Sequence, residues 1–82
     1  MPHYVYILKS LKDNGYYIGE TKDIQKRLAF HNGGLQRSTR NRRPFILVYS
    51  EEIVDRKTAL KREKQIKNYK GGEAFLKLIN SR

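Results

Sequence analysis

The segment YYIGETKDIQKRLAFHN, residues 16–32, decides the fold, because it passes from the pattern of a strand to the pattern of a helix within a few positions. Its first residues are aromatic and β-branched, which favours a strand ending near Gly19. Thr21 is then a candidate N-cap, and Ile24 and Leu28 form an apolar i,i+4 pair. Because Gly33-Gly34 follows, we predict a helix of about ten residues after the strand.

A second strand is predicted upstream of this segment. HYVYILKS, residues 3–10, is rich in aromatic and β-branched residues, and LKDNG, residues 11–15, carries Asp-Asn-Gly turn chemistry. The two strands are therefore expected to form a hairpin that brings Tyr6 and Tyr17 within cross-strand range. The length of the turn leaves the register open, and Gly19 at the strand end indicates a bulge or a close approach of the backbone to another group.

Three further elements are predicted downstream. FILVY, residues 45–49, is a continuous apolar run between Pro44 and the acidic pair Glu51-Glu52, which is typical of a strand covered on both faces and central in its sheet. Asp55 caps a long helix that Gly71-Gly72 stops, and residues 73–79 form a last short helix. The residues expected to face the core from these helices are Ala59, Leu60, Ile66, Tyr69, Phe75, Leu76 and Ile79. The order β-β-α-β-α-α gives an α+β fold with a small antiparallel sheet packed by helices.

The composition bounds the class of protein. The 82 residues contain no Pro/Gly/Ser-rich linker, so we predict a single domain over residues 1–82. The absence of cysteine excludes a disulfide framework and a Cys-based zinc site, and it favours a reducing compartment. The sequence shows neither a signal-peptide pattern nor a run near the roughly 20 apolar residues of a membrane span. We therefore expect a cytoplasmic protein without a membrane partner.

The charge balance indicates the kind of partner. Lys and Arg outnumber Asp and Glu by 18 to 8, which gives a formal net charge of +10. The basic residues are spread through segments with folded patterns rather than in a tail, so the folded surface is expected to attract polyanions. A membrane surface would require an amphipathic helix with a broad apolar face, and the apolar faces here are small enough to be used by the core. A nucleic acid is the favoured partner.

Glu63 is an acidic residue that does not suit its place in the pattern. It lies four residues after Ala59, three after Leu60 and three before Ile66, which puts it on the apolar stripe of its helix. An unpaired carboxylate there is costly to desolvate, so pairing, hydrogen bonding or metal binding is expected. The alternative is an edge position that meets solvent or pairs with Lys67 one turn later.

Arg27 and His31 lie one turn apart on the first helix, beside its apolar face. One interpretation is an ordinary solvated flank. The other is that the planar guanidinium of Arg27 clamps a phosphodiester, with His31 transferring a proton or binding phosphate. These residues alone leave both interpretations open.

RSTRNRR, residues 37–43, is a basic segment without a helical or strand period. Several arginines in a loop contact successive phosphates and give sequence-independent affinity that falls steeply with salt. The alternative is a solvated loop that only increases solubility. The candidate DNA-binding residues are Arg37, Arg40, Arg42 and Arg43, together with Lys26 on the first helix.

Taken in order, these features resemble the GIY-YIG endonuclease superfamily, and in particular its stand-alone, single-domain bacterial members. The residues that carry the resemblance are Tyr4-Val5-Tyr6, Tyr17-Ile18-Gly19, Arg27 and His31 on one helix, and Glu63 on another. It extends over residues 4–68. The resemblance implies a three-stranded antiparallel sheet flanked by helices, and cleavage of a phosphodiester bond that depends on a divalent metal.

The resemblance also implies a role for each site residue. Tyr6 is the general base or the group that positions water, and Tyr17 lies beside it at the scissile phosphate. Arg27 stabilises the charge of the phosphoryl group, Glu63 holds the metal, and His31 matches a histidine whose role is less defined. Because an ordinary phenol has a pKa of about 10, Tyr6 needs a neighbouring cation, such as Arg27 or the metal, to favour phenolate.

The sequence departs from the family pattern at two places. Tyr4 stands where the first motif begins with Gly in the superfamily name. The late Asn of the family has no secure match, because Asn68 and Asn80 are both uncertain candidates.

The resemblance thus implies a small endonuclease that uses Mg²⁺ or Mn²⁺ to hydrolyse DNA, and we expect a role in repair or recombination. With no resemblance to a base-reading helix, selectivity is expected for branched, nicked or single-stranded DNA rather than for sequence. The expected assembly is a monomer or a weak homodimer. The alternative is a non-catalytic nucleic-acid-binding module on the same fold, and a basic structural protein of a ribonucleoprotein would give Glu63 no role.

Overall fold

The computed structural model describes residues 2–80, which form three strands and three helices. The strands are β1 (His3–Ser10), β2 (Tyr16–Thr21) and β3 (Phe45–Ile53), and the helices are α1 (Ile24–Asn32), α2 (Arg56–Lys67) and α3 (Glu73–Asn80). A short 3₁₀ turn, Arg40–Arg42, lies between α1 and β3. The predicted order β-β-α-β-α-α and the α+β class are confirmed.

The predicted hairpin of β1 and β2 is confirmed. Asn14 has a left-handed φ of 61°, a conformation that asparagine tolerates better than most residues. The Asp13 carboxylate accepts a hydrogen bond from the Gly15 N–H at 2.7 Å, which holds the turn in place. The local Asp-Asn-Gly chemistry therefore sets the register of the two strands.

The sheet has the order β2-β1-β3, and both neighbouring pairs are antiparallel. The prediction that residues 45–49 form the central strand is therefore wrong, because β3 lies at an edge. β3 also runs through the acidic pair to Ile53, and after the buried Phe45 most of its residues are only half-buried. The run of four buried residues that a doubly covered strand requires is residues 5–8 of β1.

Helices pack against both faces of the sheet, so successive residues of β1 face opposite cores. The core beneath α2 and α3 consists of Val5, Ile7, Ala59, Ile66 and Phe75. The core on the other face consists of Tyr6, Leu8 and Phe45, with Tyr17, Leu28 and Leu47 packed against it. Tyr6 is thus directed to the same side of the sheet as α1.

Side-chain caps set the ends of the helices. Asp23, not the predicted Thr21, is the N-cap of α1, and its carboxylate accepts a hydrogen bond from the Lys26 N–H at 3.1 Å. Thr21 ends β2, where its hydroxyl bonds to the backbone of Asp23. The two residues are both capping types, which is why the pattern could not separate them. Gly33 ends α1 and Asp55 caps α2, as predicted.

Two leucines predicted to face the core are exposed instead. Leu60 is 44% exposed and Leu76 is 49% exposed. Each directly follows the residue that occupies the core, Ala59 or Phe75, and one residue is more than a quarter of a helical turn. α2 also ends several residues before its predicted stop at Gly71. None of the helices within residues 2–80 is long and apolar enough to cross a bilayer.

Candidate active site

Tyr6 and Tyr17 lie next to each other on the face of the sheet that α1 covers. In the register of the hairpin Tyr6 pairs with Gly19, and Tyr17 pairs with Leu8, two residues further along β1. The two tyrosines are therefore diagonal neighbours, with ring centroids 6.3 Å apart. The predicted cross-strand contact is confirmed.

Gly19 provides the space that the Tyr6 ring occupies. A Cβ atom at position 19 would lie 2.5 Å from the Tyr6 hydroxyl oxygen and 2.7 Å from its Cζ atom. Both distances are too short for a nonbonded contact, so a larger residue at this position would displace the ring. The close approach expected at Gly19 is therefore made by a side chain of the neighbouring strand.

His31, in the last turn of α1, is fully buried beside the two tyrosines. Its Nε2 atom is 3.2 Å from the Tyr6 hydroxyl oxygen, and its ring centroid is 4.7 Å from that of Tyr17. Burial lowers the pKa of His31 and the Arg27 cation lowers it further, so the imidazole is neutral at pH 7. The interpretation as a solvated flank is therefore wrong for His31.

Two residues of the segment between α1 and β3 contact the polar groups of His31 and Tyr17. Thr39 is buried, and its Oγ1 atom is 3.0 Å from His31 Nδ1. The side-chain amide of Gln36 donates a hydrogen bond to the Tyr17 hydroxyl at 3.2 Å. Neither residue is predictable from the sequence, because one Thr and one Gln in an arginine-rich segment have no period that marks them as inward-facing.

Arg27 is half-buried on α1 and lines a cleft. Its guanidinium lies 5.2 Å from the centroid of the Phe30 ring, within the range of a cation–π contact. The cleft has a volume of about 660 Å³, and its lining also includes the cations Lys22, Lys26 and Arg56 and the carboxylates Glu20 and Asp23. With Arg27, basic side chains outnumber acidic ones on this concave surface, which favours a polyanionic ligand such as a phosphodiester chain.

The Tyr6 hydroxyl is a neutral phenol. Burial raises the pKa of Tyr6 well above its usual value near 10, and Tyr17 raises it further. The Arg27 cation lowers this pKa, as expected, but the carboxylates of Glu63 and Glu20 raise it. The net shift is upward, so the cation expected to favour a phenolate is outweighed.

Glu63 is half-buried on α2 and is paired. Its carboxylate accepts a hydrogen bond from the Lys67 ammonium at 2.5 Å, which confirms the ion pair expected at this spacing. The pair does not isolate the carboxylate, because the charge of Glu63 contributes to the raised pKa of Tyr6. Glu63 on α2 therefore acts electrostatically on the Tyr6 hydroxyl.

A single carboxylate is compatible with Mg²⁺, which keeps several waters and often takes one or two protein carboxylates. Within residues 2–80 no group of three or more His, Cys, Asp or Glu side chains is placed to hold a metal ion. A cage made wholly of protein ligands is therefore not formed by this part of the chain. Glu63 fits a metal that it shares with water and substrate, provided that the exposed side chain of Lys67 moves away.

The predicted DNA-binding arginines differ in how they are held. Arg42 donates from Nε to the Asp13 carboxylate at 2.7 Å, and this bond, together with the bond from the Gly15 N–H, lowers the pKa of Asp13 to about 2. Arg42 also lies 5.7 Å from the centroid of the Phe45 ring. It therefore fastens the basic segment to the hairpin turn. The exposed members of the predicted set are Lys26, Arg37, Arg40 and Arg43.

Comparisons with known proteins agree with the fold. The sequence profile of the GIY-YIG catalytic domain matches residues 2–73. The UPF0213 protein of Staphylococcus haemolyticus is 42% identical over 81 residues, which cover 98% of this chain and 96% of that protein. The UPF0213 protein of Staphylococcus saprophyticus is 46% identical over 79 residues, which cover 95% and 94%. The solution NMR structure of the UPF0213 protein from Bacillus halodurans is 38% identical, with a TM-score of 0.50, and the match covers 83% of this chain and 72% of that one. The chain therefore belongs to the GIY-YIG family.

Proposed function

We propose that this chain is an endonuclease that hydrolyses phosphodiester bonds of DNA with the help of a divalent metal ion. Membership of the GIY-YIG family supports a nuclease-type function and nucleic-acid binding. The observation that carries the proposal is the contact of the Tyr6 hydroxyl with His31, with the Arg27 cation acting on both groups. Polar side chains are costly to bury, and buried titratable groups with shifted pKa values are frequent at functional sites.

The chemistry of hydrolysis requires an in-line water and neutralisation of the charge that develops on the phosphoryl oxygens. Because burial keeps Tyr6 protonated, the base is not a preformed phenolate, and its proton must leave as the water is activated. His31 is neutral at pH 7 and lies within hydrogen-bond distance, so it can accept that proton. Arg27 binds the phosphoryl oxygens through its guanidinium.

Glu63 would hold the metal, either Mg²⁺ or Mn²⁺. When bound, the metal supplies positive charge at the phosphoryl oxygens and the leaving group. The side chain of Glu63 is 18% exposed, and its partner Lys67 is a flexible exposed residue, so the carboxylate is accessible to a ligand that competes with the ammonium.

The proposed substrate follows from the surface. The net charge of +10 and the exposed Lys26, Arg37, Arg40 and Arg43 support contacts along a phosphate backbone. Contacts of this kind carry no base-specific information, so we propose selection of branched, nicked or single-stranded DNA. Such substrates suit a role in repair or recombination, by a cytoplasmic monomer or weak homodimer.

Two observations favour a second function, a nucleic-acid-binding module without cleavage. The Glu63 carboxylate is neutralised by Lys67, and the Tyr6 hydroxyl is held as a phenol. Both functions predict binding that weakens with salt, and only the nuclease predicts broken strands.

A cleavage assay with matched variants separates the two functions. End-labelled plain, nicked, flapped and single-stranded DNA is incubated with Mg²⁺, Mn²⁺ or EDTA. Glu63→Gln should bind DNA with unchanged salt dependence and lose cleavage by roughly 100-fold or more. Glu73→Gln removes a similar i,i+4 pair with Lys77, from a site that is 84% exposed, and should cut like wild type. Equal binding by all proteins with no cleavage of any substrate would establish the binding module instead.

A further inference from the structure

Thr39 is a buried polar residue to which the reaction above gives no role. It is 1% exposed, and its Oγ1 atom lies 3.0 Å from Nδ1 of His31 and 3.4 Å from the carbonyl oxygen of Gln36. On the other side of the same imidazole, Nε2 lies 3.2 Å from the Tyr6 hydroxyl. One chain of hydrogen bonds therefore runs from Tyr6 through His31 and Thr39 to the backbone of Gln36.

The number of polar hydrogens in this series of hydrogen bonds decides which group donates in each of them. A neutral imidazole carries one N–H, and Tyr6 and Thr39 each carry one O–H. If Thr39 accepts the Nδ1 hydrogen and donates its own to the Gln36 carbonyl, Nε2 is bare and accepts from Tyr6. All three hydrogens are then bonded.

The reverse direction leaves one hydrogen unbonded. Thr39 would donate to Nδ1, and the hydrogen on Nε2 would be directed at the Tyr6 oxygen. In the free protein the Tyr6 side chain is 3% exposed, and its hydroxyl hydrogen would then have no acceptor among His31, Thr39 and Gln36. An unbonded buried donor costs about 1–3 kcal/mol, which favours the first direction.

We propose that Thr39 is a positioning residue that fixes His31 as the tautomer with its hydrogen on Nδ1 and so holds a bare Nε2 against the Tyr6 hydroxyl. Its consequence for cleavage rests on the proposed nuclease function. The tautomer itself is a property of the folded protein without substrate.

The tautomer gives the proton a defined path in the proposed reaction. As the water oxygen bonds to phosphorus, one water hydrogen passes to the Tyr6 oxygen and the Tyr6 hydrogen passes to Nε2 of His31. Tyr6 is then a phenol again, and His31 is an imidazolium. The bond from phosphorus to the leaving sugar oxygen breaks, this oxygen takes a proton from solvent, and His31 returns a proton to solvent. One water is consumed, and Thr39 touches neither water nor substrate.

Two substitutions separate the hydrogen bond of Thr39 from its packing. Thr39→Val is close in shape but cannot accept the Nδ1 hydrogen, whereas Thr39→Ser keeps the hydroxyl. We expect Thr39→Val to lower kcat by about tenfold or more with KM within about twofold, because general-base catalysis contributes roughly 10²–10⁴-fold. Thr39→Ser should remain within about threefold of wild type. A wild-type kcat in a folded Thr39→Val protein would overturn the proposal.

Long-range ¹H–¹⁵N correlation spectra of the histidine rings give a readout that does not depend on cleavage. Near neutral pH the wild-type protein should show His31 with its hydrogen on Nδ1, and a hydrogen on Nε2 would overturn the proposal. If the wild type shows the Nδ1 tautomer, Thr39→Val changes it and neither protein cleaves DNA, the proposed nuclease function fails and the positioning role of Thr39 stands. If Thr39→Val does not fold, the wild-type and Thr39→Ser spectra decide the tautomer.

Discussion

The hydroxyl oxygen of Tyr6 lies 2.5 Å from the position that a Cβ atom on residue 19 would take, so Tyr6 and Gly19 share one volume. Gly19→Ala should therefore move the Tyr6 ring away from His31. Overpacking of this kind costs about 1–3 kcal/mol of unfolding free energy. Loss of the Tyr6–His31 contact should lower cleavage by about 10²-fold, since a positioned base contributes at least this much. Urea melts and cleavage rates measure the two effects.

A double-mutant cycle with Tyr6→Phe tests whether Gly19 acts through Tyr6. If it does, Gly19→Ala should cause little further loss of cleavage in a Tyr6→Phe background, because the contact is already gone. Losses that simply add would contradict this explanation.

Arg42 and Arg40 should respond differently to substitution, although both lie in the basic segment. Arg40 is exposed, so Arg40→Gln should reduce the slope of log affinity against log salt by about one and leave the melting temperature unchanged. Arg42→Gln should lower the melting temperature, because it releases the segment from Asp13 at the hairpin turn. DNA binding at several salt concentrations and thermal melts make the comparison. Equal effects of the two variants would contradict the structural role of Arg42.

The parts of the fold with local signals were predictable from the sequence. The Asp-Asn-Gly turn and the Asp55 cap each depend on a few neighbouring residues. The strand order was not predictable, because residues 5–8 and 45–49 are both continuous apolar runs. Which of them is central depends on how helices cover the sheet, and no local pattern carries that information.

The candidate site was likewise predictable only where the sequence carries a local signal. The ordered motif indicated Tyr6, Tyr17, Arg27, His31 and Glu63, but it carried no information on their surroundings. Full burial of His31 and its contact with Thr39 depend on how residues 33–44 fold back over α1. That segment has no period from which an inward-facing residue is identified.

His31 should titrate below the pH at which a free histidine does. Burial and the Arg27 cation both disfavour the imidazolium, and the Tyr6 hydroxyl that faces it is a neutral phenol whose pKa is raised by burial. As pH falls below about 6.5 the unfolded chain binds a proton that the folded protein resists, so His31 lowers stability from there down to its folded pKa. NMR titration of the ring C–H signals should give a midpoint below 6.5, with cleavage falling over the same range. A midpoint at or above 6.5 would contradict this prediction.

Arg62 ties α2 to β3 through Glu51. Its Nε and Nη2 atoms donate to the two carboxylate oxygens at 2.8 and 3.2 Å, and the Tyr49 hydroxyl donates to the same carboxylate at 2.5 Å. Arg62→Ala leaves a half-buried carboxylate without its counter-charge and should lower the free energy of unfolding by about 1–3 kcal/mol. Lys61→Ala, on the exposed side of the same helix, should change it by less than about 0.5 kcal/mol.

The pH dependence of the Arg62→Ala effect identifies its cause. Burial raises the pKa of Glu51, but the hydrogen bonds from Arg62 and Tyr49 outweigh burial and lower it below 4.5 in the folded protein. The contribution of the ion pair is therefore complete above pH 4.5 and is lost as pH falls through the folded value. Urea melts should give a constant difference between wild type and Arg62→Ala near neutral pH and a smaller one in acid. The Asp13 and Asp55 carboxylates titrate in both proteins, so their contributions cancel in this difference. A difference that persists unchanged in acid would show that Arg62 acts through the packing of its side chain and not through the charge of Glu51.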